Sequence, residues 1–150
     1  MDFQTPIWAC EYMANMVTIE PESIIEPTPG EGNLLMTIKN KFPHASITAP
    51  NDFDIISDQK FDLLIANPPF TPMARGYELL ERFIEISDYI IVLMPWLTLI
   101  NSEKRTRKIV NAGLVEVVHL PRRTFKGSRV QTCIMKIVKG GFGQIRLNFL

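Results

Sequence analysis

Two periods of hydrophobicity alternate along the chain. Short apolar runs recur at 23–27 (SIIEP, stopped by Pro27), 45–50 (ASITAP), 61–66 (FDLLIA) and 89–95 (YIIVLMP). Runs of that length, rich in Ile and Leu, are those of strands buried on both faces. Between them, apolar residues fall three and four apart. Residues 32–42 set Leu34, Leu35, Ile38 and Phe42 on one side, and 77–87 turn Leu80, Phe83 and Ile84 inward, so both predict helices. A helix over 7–18 is predicted with Thr5 as cap and Pro6 in its first turn, and another over 103–112 with Ser102 as cap and Gly113 as stop. Residues 51–60 and 67–76 read as loops. Strands 114–120 and 131–138 flank a basic loop, and 144–150 adds an edge strand.

Strands alternating with helices predict an α/β fold built on a doubly wound, mostly parallel sheet. The two long strands after residue 113 have no helix between them, which predicts an antiparallel C-terminal strand. At 150 residues one domain is expected, spanning 1–150, with no separate recognition domain. Composition is globular, 46% hydrophobic and 21% charged, and no apolar stretch is long enough for a membrane span. Cys10 and Cys133 are far apart and have no neighbour at metal-ligand spacing, so a reduced, intracellular setting and no metal are expected. Charge is uneven. Residues 1–60 hold nine Asp/Glu against three Lys/Arg, and residues 61–150 hold seven against thirteen, giving −6 and +6. The basic half points to a polyanionic partner, with solvated faces as the plain alternative.

Two stretches carry candidate chemistry. In IIEPTPGEGNLL, Glu26 ends a strand, and Gly30 and Gly32 occupy the turn before a helix. Glycines let the backbone approach a ligand, and a helix start favours a carboxylate. Leu35 stands where a dinucleotide fingerprint has its third glycine, so a ligand with an amino-acid end fits better, its ammonium at Glu26. A tight turn with no ligand is the alternative. In FDLLIANPPF, residues 61–70, a core strand runs into Asn67, Pro68, Pro69 and Phe70. The prolines stiffen the loop and extend Asn67. Fixed acceptors beside a flat ring suit a planar group bearing an NH2. An acceptor on that amine exposes the nitrogen lone pair that attacks a methyl group.

Taken in order, DFQTP at 2–6, EPTPGEGNLL at 26–35, FDLLIANPPF at 61–70, YIIVLMPWLTL and HLPRRTFKGSRVQTCIMKIVKG resemble the N6-adenine DNA methyltransferases of the gamma motif order, which use S-adenosylmethionine. The resemblance covers nearly the whole chain. It implies a Rossmann-like methyltransferase fold, S-adenosylmethionine as cofactor, and methyl transfer to adenine in double-stranded DNA. It also implies a restriction-modification setting in the cytoplasm of a prokaryote or a virus. Residue by residue, it implies that Thr5 and Pro6 lie by the methionine end of the cofactor, and that Glu26, Gly30 and Gly32 shape its pocket. Asn67 and the Pro68 carbonyl accept from the target amine, and Phe70 stacks on a flipped adenine. Phe125 supplies a second aromatic against the base. Apart from the resemblance, the basic stretches EKRTRK at 103–108 and RRTFKGSR at 122–129 are candidates for nucleic-acid contact, with Arg122, Arg123, Lys126 and Arg129 expected on phosphates and solvated side chains as the plain alternative.

The chain departs from the family between Gly32 and Asn67. The two stand only 35 positions apart, where the family fits two more strands with their helices, so at least one such unit is expected to be missing. The second strand ends without the usual acid, and Asp52-Phe53 resembles the family's motif for the cofactor's adenine, leaving Asp52 or Asp54 to serve for both acids. Without a recognition domain, specificity is expected to be short or borrowed from a second subunit or a homodimer. The same transfer to RNA or to a protein glutamine, and a non-catalytic methyltransferase-like subunit that binds nucleic acid, remain as alternatives.

Overall fold

The computed structural model describes residues 4–30, 32–52, 59–141 and 143–150. In chain order the elements are α1 (Ile7–Asn15), β1 (Ser23–Ile25), α2 (Asn33–Lys41), β2 (Ser46–Thr48), β3 (Leu63–Ala66), α3 (Met73–Ile86), β4 (Tyr89–Pro95), α4 (Trp96–Ile100), α5 (Glu103–Asn111), β5 (Leu114–His119), β6 (Thr132–Val138) and β7 (Arg146–Phe149). The strands form one sheet in the order β2-β1-β3-β4-β6-β5-β7. Strand β6 runs antiparallel to β4 and β5, and the other paired strands are parallel. Strands β5 and β6, joined without a helix, are antiparallel as expected, and β7 adds the edge strand, parallel to β5.

The two-sided burial inferred from the apolar runs is resolved residue by residue. Leu64 and Ala66 of β3, and Ile90, Val92 and Met94 of β4, pack under α3, α4 and α5 with Leu80, Phe83, Leu99 and Ile109. Leu63, Ile65, Ile91 and Leu93 face the other way, onto Cys10 and Met13 of α1 and Leu34 and Ile38 of α2. Every residue of β3 and β4 is buried, which is why alternation is invisible in their sequence.

Three local readings change. Thr5 does not cap α1. The helix runs over Ile7–Asn15, starting where expected and ending three residues early, with Pro6 as its N-cap and the Ala9 and Cys10 amides bonded to the Pro6 carbonyl at 3.0 and 3.1 Å. Helix α3 begins at Met73, four residues before the expected start, because Pro72 precedes it with extended backbone and Gly76 is taken into the helix. The short helix α4 was not expected, since Trp96–Ile100 reads as an extension of the apolar strand before it. Between α2 and β3 the described residues hold only β2, in line with a shortened segment.

Candidate active site

All strands except β6 point the same way, so β1, β3, β4, β5 and β7 present their carboxyl ends on one edge. Ligands of open α/β sheets bind outside that edge. Glu26 follows β1 there and Asn67 follows the neighbouring β3.

Thr5 ties three segments together at this point. Its hydroxyl accepts from Asn67 Nδ2 at 2.5 Å, and its carbonyl accepts from Asn33 Nδ2 at 3.0 Å and from Cys10 Sγ at 3.7 Å. The approach to α1, the start of α2 and the Asn-Pro-Pro-Phe loop therefore share one anchor, itself buried. Holding Nδ2 at Thr5 turns the carbonyl oxygen of the Asn67 amide to the other side, as an oriented acceptor. Sequence reasoning placed Thr5 near a ligand but missed this positioning contact, which spans 62 residues of chain.

Glu26 is 1% exposed. Its Oε1 accepts the Thr28 amide at 3.1 Å, and its Oε2 has no partner among the described residues. Burial pushes its carboxyl up to about 8, against the smaller downward pull of the Thr28 amide. The Thr28 hydroxyl is a second buried polar atom without a partner among the described residues. Sequence reasoning passed over it because a threonine between two prolines reads as turn chemistry. Two unsatisfied polar atoms in one short loop are costly unless a ligand completes them. Gly30 and Gly32 take φ values of +54° and +98°, which L-residues avoid, and a Cβ at either would meet nothing within 4 Å. The glycines serve the turn's conformation and leave space beside it.

In the loop after β3, Pro68 is buried, Pro69 exposed and Phe70 half-buried. Gly76 of α3 lies against Phe70, where an added Cβ would sit 3.1 Å from Phe70 Cβ, 3.2 Å from its Cα and 3.5 Å from Met94 Cε. The helix can approach the loop this closely only because position 76 has no side chain.

The remaining predicted site residues divide. Phe125 is 6% exposed and packs with the core beneath α1 and α2, so it is a hydrophobic anchor and not a second platform for a base. It follows a 3-10 turn over Arg122–Thr124 and packs with residues distant in the chain, Cys10, Leu34 and Ile134 among them. Arg122, Arg123, Lys126 and Arg129 are exposed around it. The second basic stretch, 103–108, is largely occupied. Arg107 pairs with Glu103 at 2.8 Å, Lys108 pairs with Glu81, and the Arg105 guanidinium lies 4.2 Å over the Tyr77 ring. Asp52 is exposed, while Phe53 and Asp54 lie outside the described residues. Cys10 and Cys133 are free, buried thiols, pushed up by burial to about 11 and about 12, so they are unreactive.

No family model matches the chain, and no curated protein matches its sequence. Solved structures do match. A candidate modification subunit of a type I restriction enzyme from Vibrio vulnificus superposes with a TM-score of 0.75 at 15% identity, over 97% of this chain and 45% of that one. The M protein of the type I restriction enzyme EcoKI gives 0.73 at 14%, over 93% and 44%. A candidate class I S-adenosylmethionine-dependent methyltransferase from Listeria monocytogenes gives 0.70 at 15%, over 98% and 65%. The fold is that of the S-adenosylmethionine-dependent methyltransferases. The chain spans under half the length of the two restriction-enzyme subunits and 65% of the Listeria protein. Within this methyltransferase fold, Glu26, Gly30, Gly32, Asn67 and Phe70 gather at one end of adjacent parallel strands, and the basic residues 122–129 follow β5 on the same edge.

Proposed function

We propose that the chain transfers a methyl group from S-adenosylmethionine to the exocyclic amino group of adenine in DNA, in a restriction-modification setting. The observation that carries the reading is the Thr5–Asn67 contact, which brings an oriented amide acceptor next to a glycine loop whose buried Glu26 has, among the described residues, no partner for Oε2.

The residues present fit the cofactor. Glu26 Oε2 would take its ammonium, and the Thr28 hydroxyl is a second polar atom left for it. Gly30 and Gly32 leave room along the turn, and Asp52 lies exposed after β2, the strand next to β1. When bound, the cofactor supplies an electrophilic methyl group. The chain's own part is positioning. Asn67 Oδ1 and the Pro68 carbonyl accept from the target NH2, which keeps the nitrogen lone pair directed away from them. Phe70 offers a flat face to the base, and Gly76 fixes where that face lies. Arg122, Arg123, Lys126 and Arg129 hold phosphates of the strand, and a second subunit or a second copy supplies whatever longer recognition is needed. Holding two reactants in line accounts for most of the rate such a site gives.

The reading is tested by incubating the protein with methyl-labelled cofactor and, separately, DNA, RNA and unfolded protein, then identifying the labelled product by mass spectrometry. Labelled N6-methyladenine in DNA supports it. Label in RNA or in glutamine alone moves the chain to the corresponding alternative substrate.

A further inference from the structure

A second aromatic group lies on the same edge, and the transfer reaction makes no use of it. Trp96 follows β4, His119 ends β5 and Phe149 ends β7. Trp96 Nε1 donates to His119 Nδ1 at 2.9 Å. The His119 and Phe149 rings lie 4.7 Å apart at 33°, and the Trp96 and His119 rings 6.0 Å apart at 36°. Phe149 is 70% exposed. A single exposed Phe needs no explanation. This one is different, because a hydrogen-bonded ring pair holds it from behind while its other side is open.

Register sets the group level with the candidate active site. Met94, Cys133, His119 and Phe149 form one rung across β4, β6, β5 and β7. Ala66 pairs with Val92, so Asn67 stands one residue from that rung. Paired residues in a sheet share a face, and Met94 and Cys133 belong to the core under α3. Met94 also reaches Gly76, which abuts Phe70. Phe70 and Phe149 therefore lie on one face of one edge, four strand positions apart between β3 and β7. At about 4.8 Å per strand that is about 19 Å. A stacked nucleic-acid strand advances about 3.4 Å per nucleotide, so the span is about five to six nucleotides, and fewer for a stretched strand. The exposed cations Arg122, Arg123, Lys126 and Arg129 follow His119 in the chain at the same sheet edge, around Phe125, which packs on the opposite face. Cations and open flat rings at one sheet edge are what a single strand binds.

We propose that Phe149, backed by His119 and Trp96, is a stacking platform for an unpaired base several nucleotides from the target adenine, so that the substrate is a strand open over that stretch. This rests on the proposed methyl transfer only for the position of the target. A platform of this kind needs a base out of its duplex, so a single strand or a duplex with an open bubble is preferred over a fully paired duplex.

The test is binding of a fluorescein-labelled single strand, a bubble duplex, a paired duplex and a trinucleotide too short to span the two rings, all without cofactor. Phe149→Ala should weaken the long single strand and the bubble by about tenfold or more, with the salt dependence unchanged. It should leave the trinucleotide and the paired duplex unaffected, and Phe149→Trp should restore the lost affinity. Equal binding by Phe149→Ala and the parent on every probe overturns the platform, as does a variant that only converts a dimer to a monomer. If the parent methylates adenine and Phe149→Ala binds normally, the platform alone falls. If Phe149→Ala loses single-strand affinity but no adenine is methylated, the platform stands and the reaction assignment falls.

Discussion

Glu26 offers a sharp test of the cofactor pocket, because its protonation should change when a ligand's ammonium arrives. Burial holds its carboxyl near 8, so at pH 7 about nine in ten molecules carry the proton. An ammonium at Oε2 favours the carboxylate. Binding S-adenosylmethionine at pH 7 should therefore expel a little under one proton. Apparent affinity should rise nearly tenfold from pH 6 to pH 7, then flatten to a peak near pH 8, above which the ligand's own α-amino group loses its charge. Calorimetric titration in two buffers of different ionisation enthalpy reads the proton count directly. Glu26→Gln keeps an acceptor for the Thr28 amide and should abolish both the proton release and the pH slope. The same shift has a stability consequence. A carboxyl raised from 4.5 to about 8 binds its proton more tightly folded than unfolded, so stability falls as pH climbs from about 4.5 to about 8. The full effect is at most about 5 kcal/mol. Glu26→Gln should thus melt higher than the parent at pH 8 and level with it below pH 4.5. Cofactor binding with no proton release, and with equal affinity in Glu26→Gln, would refute the assignment of Glu26 to the ammonium.

Further outcomes follow from the neighbouring contacts. Gly76→Ala must move Phe70 by a few tenths of an ångström, and should lower methyl transfer about tenfold while thermal shift shows cofactor binding unchanged. Thr5→Val removes the hydroxyl that orients the Asn67 amide, and should cut kcat more than it raises KM for the cofactor. Replacing Arg122 and Arg123 together by Ala should weaken binding about equally on all sequences, flattening the slope of log affinity against log salt by about one unit per lost phosphate contact.

Much of this was legible in the chain because it is local. Strand 89–95 and the cap of α5 by Ser102 stand where the pattern puts them, since each depends on adjacent residues. What was hidden depends on distant partners. Thr5 looks like a helix cap until Asn67 is seen to hold its hydroxyl. Phe125 reads as a loop aromatic, and only the course of the chain after β5 shows it buried. Gly76 reads as a loop breaker, because nothing in the sequence says that Phe70 lies against it. The parallel pairing of β7 with β5, and with it the Trp96–His119–Phe149 group, needs contacts across dozens of residues that no periodicity records.

The most direct measurement of the central claim is single-turnover methyl transfer to an adenine-containing oligonucleotide by Asn67→Ala at saturating S-adenosylmethionine, with cofactor affinity measured on the same sample. One oriented acceptor in such a site is worth about 3 to 4 kcal/mol, so transfer should fall by about a hundredfold to a thousandfold. The cofactor dissociation constant should stay within about threefold, because Glu26 and the glycine turn are untouched. Transfer at the parent rate by Asn67→Ala would contradict the account.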